Sequence, residues 1–163
     1  MIISQTLRRA VQQNPDGIAT IYKDRKRSWR AFENRVARLA AGLRALGAER
    51  GNRVAILSLN SDRYLEYFYA VPWAGGALNP VNIRLAPPEI AYSLNDSASS
   101  ILFVDDAFSD MLSKLRPLLS SVPPLLFTLD GSLPAGCVYS QALIAEFVPL
   151  RAILDGVSSF APL

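Results

Sequence analysis

The run Val54-Ala55-Ile56-Leu57-Ser58-Leu59 is short, almost wholly apolar, and framed by turn-forming residues, Gly51-Asn52 before it and Asn60-Ser61-Asp62 after it. It shows no alternation of apolar and polar residues, so a strand built from it has no face to give to water. It needs cover on both sides, which is the condition of a strand inside a parallel sheet flanked by helices. Two further runs repeat the pattern, Ile101 to Val104 and Leu125 to Leu129.

The segments between and before these runs read as helices. Phe32, Val36, Leu39, Leu43 and Leu46 follow at steps of four, three, four and three, which places them on one helical face. Ser28 is the expected N-cap of that helix and Gly47 its stop. Asn60-Ser61-Asp62 opens a second helix that ends at Gly75-Gly76. A short strand from Ala77 to Asn79 leads into the loop from Pro80 to Pro88, and a third helix starts at Pro88 or Glu89 and runs through Asn95. A fourth is expected from Phe108 to Leu119, with Pro123-Pro124 closing the connection. Strand and helix in alternation at this spacing predict βαβ units with right-handed crossovers.

Upstream, residues 5–13 form a short amphipathic helix stopped by Asn14-Pro15-Asp16-Gly17. The β-branched stretch Ile18 to Tyr22, a polar turn from Lys23 to Lys26 and a return over Arg27 to Trp29 predict a hairpin. The expected fold class is α/β, a parallel sheet flanked by helices with an N-terminal β-hairpin, over residues 1–130. Residues 131–163 hold one short helical stretch, Ser140 to Phe147, and otherwise read as a divergent or truncated tail.

Composition excludes several chemistries. The chain has no histidine and one cysteine, Cys137, which removes serine–histidine–acid triads, histidine-bearing zinc sites, Cys₄ metal sites and any intrachain disulfide. Lys23, Lys26 and Lys114 are the only lysines, and none follows a glycine-rich loop, so no Walker-type phosphate cradle exists. No run approaches the roughly 18 apolar residues of a membrane span, and the polar stretch Gln5 to Asp16 is unlike a secretory leader. The expected compartment is the cytoplasm. Charge is uneven: residues 1–53 carry twelve basic and four acidic side chains, net +8, and the remainder five basic and ten acidic, net −5, giving the overall +3. Aromatic residues do not interleave with the arginines as a nucleic-acid platform requires, so these arginines are expected to solvate outer helix faces.

In open α/β sheets, ligands gather beyond the C-terminal strand ends. Here those positions are Asn60-Ser61-Asp62, Asn79 to Leu85, Asp105-Asp106 and Asp130-Gly131. Asp105-Asp106 has the composition of an acid–base pair or a magnesium site, but carboxylates at a helix start commonly cap backbone N–H groups, and capping is the expectation there and at Asn60-Ser61-Asp62. No metal site is expected. Cys137 has no basic neighbour within a helical turn and reads as inert. Arg84 differs: it stands in a proline-bounded loop after a short strand, the only basic residue between Arg63 and Lys114, and an isolated arginine in such a place can grip a phosphate.

The order of residues is itself informative. Ser28-Trp29-Arg30-Ala31-Phe32, Arg35 to Ala40 continuing through Leu43 to Gly47, Gly51 to Leu57, Ala74-Gly75-Gly76-Ala77, Asn79-Pro80-Val81-Asn82-Ile83-Arg84-Leu85, Glu89 to Tyr92, Leu94 to Ser97 and Leu102-Phe103-Val104-Asp105 follow one another at family spacing. The series resembles the N-terminal part of the adenylate-forming enzymes, specifically acyl-CoA synthetases, over about residues 5–130. The resemblance implies ATP, magnesium and CoA as cofactors of a full-length enzyme that converts a carboxylic or fatty acid through acyl-adenylate to acyl-CoA. It implies a cofactor-binding role for Arg84, which matches an arginine that holds a CoA phosphate in some members. The family's phosphate loop, acidic nucleotide motifs, hinge and C-terminal lysine lie beyond the matched region. The expectation is therefore an incomplete N-terminal subdomain with no catalytic residues and no cofactor of its own. Its expected partner is the remainder of a synthetase, a protein docked on an exposed sheet edge, or a second copy of the chain. A non-catalytic interaction module derived from the same fold is the alternative; an independent nucleotide binder is disfavoured by the missing phosphate loop. Asn52, in place of the usual aspartate, and Ala31, in place of a frequent glutamate, depart from the family pattern without touching its chemistry.

Overall fold

The computed structural model describes residues 3–121, 125–127 and 137–139. In chain order the elements are α1 (Ile3–Gln13), β1 (Ile18–Tyr22), β2 (Arg25–Ser28), α2 (Trp29–Ala45), β3 (Arg53–Leu57), α3 (Asp62–Ala74), β4 (Ala77–Pro80), α4 (Pro87–Asp96), β5 (Ser99–Val104), α5 (Met111–Leu115), β6 (Leu125–Phe127) and β7 (Cys137–Tyr139). Strands β1 and β2 form the antiparallel hairpin, and the other five form one parallel sheet in the order β4-β3-β5-β6-β7.

The apolar runs behave as strands covered on both faces. Val54 and Ile56 of β3, with Ile101 and Phe103 of β5, pack against α1, α2 and α3. Their alternates Ala55, Leu57, Leu102 and Val104 pack against Ile90, Ala91 and Leu94 of α4 and Leu112 and Leu115 of α5. The period-two geometry of a strand thus sends successive residues to two separate cores. Strand β3 is internal: β4 lies on one side and β5 on the other, while α3 and α4 cover opposite faces. The direction of winding reverses there, and in open α/β sheets ligands gather beyond the carboxyl ends of the strands at such a point.

Helix α2 follows its sequence pattern. Ser28 Oγ accepts the Ala31 N–H at 3.3 Å, and Phe32, Val36, Leu39 and Leu43 are all buried. Helix α3 begins at Ser61, whose Oγ accepts the Tyr64 N–H at 3.2 Å, and ends at Gly75 with φ 103°, a left-handed turn that suits glycine.

Three features differ from the sequence-based expectation. The hairpin turn is only Lys23-Asp24, with Lys23 at φ 53°, and the return strand starts at Arg25. The fourth helix is broken into a 3₁₀ turn at Asp106–Phe108, the five-residue α5 and a second 3₁₀ turn at Arg116–Leu118. Pro117 has no N–H to continue the α5 ladder, and Asp105 caps the first turn too tightly for an α-helix to begin. Strand β7 was not anticipated, since three residues are too few to show a period. The helix expected over Ser140 to Phe147 lies outside the described residues. Among those residues no helix is long and apolar enough to cross a membrane.

Candidate functional site

The carboxyl ends of β3 and β5 are joined by Ser58 and Asp105, both buried. Ser58 Oγ lies 3.1 Å from Asp105 Oδ2 and 2.9 Å from the Leu59 carbonyl oxygen. Asp105 Oδ1 accepts the Ala107 N–H at 3.0 Å, and the Asp105 N–H donates to the Leu57 carbonyl. Both carboxylate oxygens are therefore occupied in joining two strand ends and capping a turn. No set of three acidic, histidine or cysteine side chains among the described residues is arranged to hold a metal ion. Asp105 does not offer a free oxygen to magnesium-bound nucleotide, because one oxygen is held by the Ser58 hydroxyl and the other by the Ala107 N–H.

Asn60-Ser61-Asp62 caps α3, and Asp62 also anchors the hairpin. Arg25 donates Nε to Asp62 Oδ2 at 3.1 Å and Nη2 to Oδ1 at 2.8 Å, and Arg27 Nη1 donates to Oδ2. One turn on, Glu66 receives Nε and Nη2 of Arg35 from α2, with Arg63 Nη1 at 3.7 Å and Arg27 Nε at 3.9 Å. The Asp62 and Glu66 side chains are each 1% exposed. Burial pushes the Asp62 carboxyl up, but the hydrogen bond from Arg25 and the charges of Arg63, Arg25 and Arg27 outweigh it and hold the group below its ordinary value. Burial also draws the Arg63 guanidinium down, with Glu66 opposing. The basic front of the sequence is therefore only partly a solvated face. Arg25, Arg27 and Arg35 turn inward and clamp hairpin and α2 onto α3, while exposed Arg30 reaches Asp16 at 3.6 Å and half-buried Arg38 donates to Asn34. Beside this cluster a cleft of about 360 Å³ is lined by Ala19, Thr20, Tyr22, Asn60, Asp62 and Leu65, among others.

Arg84 lies apart from all of this. Strand β4 ends at Pro80, the Val81 N–H still donates to the Ile56 carbonyl at 2.9 Å, and the chain then leaves the sheet. The Arg84 N–H donates to Asn82 Oδ1 at 3.0 Å, and the Leu85 N–H to the Asn82 carbonyl at 3.2 Å, so Asn82 folds the loop around its own backbone. Glu89 accepts the Ala86 N–H at 2.8 Å and starts α4. Arg84 is exposed at the same end of the sheet as Ser58 and Asp105, and its guanidinium has no partner among the described residues. The free guanidinium fits an anionic group. Two residues that hold the root of this loop, Tyr67 and Asn79, carry no chemistry-bearing signature in the sequence; Tyr67 lies with Ala70, Val71 and Ala74 on the buried face of α3.

The model of the family described as AMP-binding enzyme matches residues 7–145. A long-chain-fatty-acid–CoA ligase of Thermus thermophilus is 40% identical over 118 residues, 72% of this chain and 22% of that protein. 4-Hydroxybutyrate–CoA ligase 2 of Metallosphaera sedula is 34% identical over 125 residues, 77% of this chain and 23% of that one. Among solved structures, a Rhodopseudomonas palustris protein assigned as a long-chain-fatty-acid CoA ligase superposes with a TM-score of 0.79 at 32% identity, covering 88% of this chain and 36% of that one. A benzoate CoA ligase of Burkholderia xenovorans superposes at 0.80 with 21% identity over 91% of this chain, which speaks for the fold alone. The chain thus spans about a quarter of the length of these curated relatives. The described sheet, the Asn-Pro loop carrying Arg84 and the family match over most of the sequence place this chain in the AMP-binding enzyme family, as an N-terminal part of an adenylate-forming acyl-CoA synthetase.

Proposed function

We propose that this chain serves an acyl-CoA synthetase by holding coenzyme A rather than by performing adenylation, with Arg84 as the residue that grips a CoA phosphate. One observation carries the reading. Arg84, in the loop that follows β4, has an exposed guanidinium with no partner among the described residues, whereas Arg25, Arg27 and Arg35 are bound to buried carboxylates. A guanidinium meets a phosphate with two parallel N–H bonds and gains most where the arginine has no internal partner to leave. The relatives named above are ligases joining an acid to CoA, which makes a CoA phosphate the fitting anion and a carboxylic acid the fitting co-substrate of the whole enzyme.

Adenylation needs concentrated positive charge around the α-phosphate. The sequence offers three lysines and no glycine-rich phosphate loop, and Asp105 is occupied by Ser58 and Ala107. Alone, the chain is inactive; it works when joined to the remainder of a synthetase, in the cytoplasm. An ATP–pyrophosphate exchange assay with mixed fatty acids tests the first half, and measurable exchange by the purified chain overturns it. Retention on a CoA resin tests the second: Arg84→Ala loses retention, and equal retention of both proteins removes Arg84 from the role.

A further inference from the structure

A tyrosine hydroxyl is bonded to both strands of the β3–β4 ladder. In a parallel pair, alternate residues of one strand bond to their neighbour. The Ala77 N–H donates to the Asn52 carbonyl at 2.8 Å and the Val81 N–H to the Ile56 carbonyl at 2.9 Å, so the rung between them joins the Asn79 N–H and the Val54 carbonyl. At that rung Tyr67 Oη donates to the Val54 carbonyl at 2.7 Å and accepts the Asn79 N–H at 3.0 Å. Tyr67 comes from α3, is 1% exposed, and its ring is packed edge-on against Phe68 and Phe103. Burial raises its hydroxyl far above the ordinary phenol value, so it stays protonated and keeps its donor.

The same residue, Asn79, is held from the other face. Its Nδ2 donates to Ser97 Oγ at 2.8 Å and to Ser99 Oγ at 2.9 Å. Ser99 belongs to β5, two strands away in the sheet order, and the residue in register with Asn79 on the intervening strand is Ala55. A side chain larger than alanine there would stand in the way of this crossing. Pro80 follows and has no N–H to give. Asn79 is thus the last residue of β4 fixed on both faces before the loop that carries Arg84 begins.

We propose that Tyr67 is a positioning residue for the Arg84 loop: by bonding both ends of the Asn79–Val54 rung it fixes where the loop leaves the sheet, and so where Arg84 meets an anion. This rests on the reading of Arg84 given above. Removing the hydroxyl takes one bonding partner from the Asn79 N–H and one from the Val54 carbonyl, which loosens the loop root while Arg84 itself is untouched.

The experiment compares the full chain with Tyr67→Phe and Arg84→Ala, reading CoA affinity by NMR titration and amide hydrogen exchange residue by residue. Tyr67→Phe is expected to weaken CoA binding about fivefold, the equivalent of roughly one hydrogen bond. It should also speed exchange at Asn79, Val81 and Arg84 while leaving Leu102 and Phe103 in β5 protected, a pattern that general loosening of the core does not give. Arg84→Ala should weaken CoA binding without altering exchange at Asn79. If the unsubstituted chain shows no CoA shifts, the Arg84 reading fails, and exchange at the loop root still decides the role of Tyr67. Unchanged exchange at Asn79, Val81 and Arg84 in Tyr67→Phe overturns it. Should that variant not fold, the unsubstituted chain suffices: the arrangement requires a slowly exchanging Tyr67 hydroxyl proton with a through-space contact to the Asn79 amide, and a hydroxyl in fast exchange refutes it.

Discussion

Arg35 and Arg84 carry the same charge and do opposite work. Arg35 reaches from α2 to α3 and places two N–H groups on a Glu66 carboxylate that is 1% exposed. Arg84 sits on a loop and gives only its backbone N–H to a neighbour. The first arginine is spent on the fold, as are Arg25 and Arg27 beside it; the second is left over. A basic sequence is therefore only partly a basic surface, and Arg84 is among the cations without a buried acid to neutralise it. Each test below asks whether that division holds, beginning where it costs the fold most.

Glu66→Ala should have the largest effect. It leaves Arg35 and the buried Arg63 without their shared carboxylate, and breaking a buried pair from one side costs about 3–5 kcal/mol. Urea unfolding measures it, and a loss under about 1 kcal/mol, the range of exposed pairs, would mean that the cluster is as well solvated as a surface bridge. Asp62→Asn comes next. It keeps the shape and removes the charge that Arg25 and Arg27 bind, for a loss of about 1.5–3 kcal/mol by the same measurement.

The same carboxylate makes a signed prediction about pH. Its folded pKa is depressed, so its contribution is fully present above the unfolded value of about 4 and is lost as pH falls through the lower folded value. Stability should decline on acidification below about pH 4, and Asp62→Asn should flatten part of that decline. A slope identical in the two proteins would place the acid sensitivity elsewhere. Arg30→Ala, by contrast, removes an exposed contact to Asp16 at 3.6 Å and should cost under about 0.5 kcal/mol in thermal unfolding.

The sequence carried the frame of the molecule because burial writes a period into it. Val54 to Leu57 and Ile101 to Val104 could only be strands covered twice, and Phe32, Val36, Leu39 and Leu43 could only be one helix face. What it did not carry was partnership. Nothing in the spacing of Arg25, Arg27 and Arg35 relative to Asp62 and Glu66, thirty or more residues on, reveals that they meet. Those pairings are made by the packing of the hairpin and α2 on α3. Nor is the Tyr67 hydroxyl visible in advance, since its position depends on the depth at which α3 lies on the sheet. Arg84 stood alone in the sequence, between proline-bounded turns, and its guanidinium has no partner among the described residues. The break in the fourth helix came from Pro117, a local signal outweighed by the apolar spacing around it.

The smallest expected effect bears hardest on the division between structural and available arginines. Arg84→Ala should leave stability within about 0.5 kcal/mol, the ordinary range for a surface substitution away from caps and networks. The loop keeps its shape without the guanidinium, because Asn82 takes its backbone bonds from the Arg84 N–H and the Leu85 N–H, and alanine supplies the first as well as arginine does. Thermal unfolding with and without CoA then sharpens the contrast. A free cation changes nothing in the absence of ligand and abolishes the ligand-linked rise in its presence, since stabilisation by binding follows affinity and not the contacts of the empty protein. A loss above about 1 kcal/mol in the ligand-free state would instead mean that the Arg84 guanidinium is engaged within the chain, making it a structural arginine like Arg35.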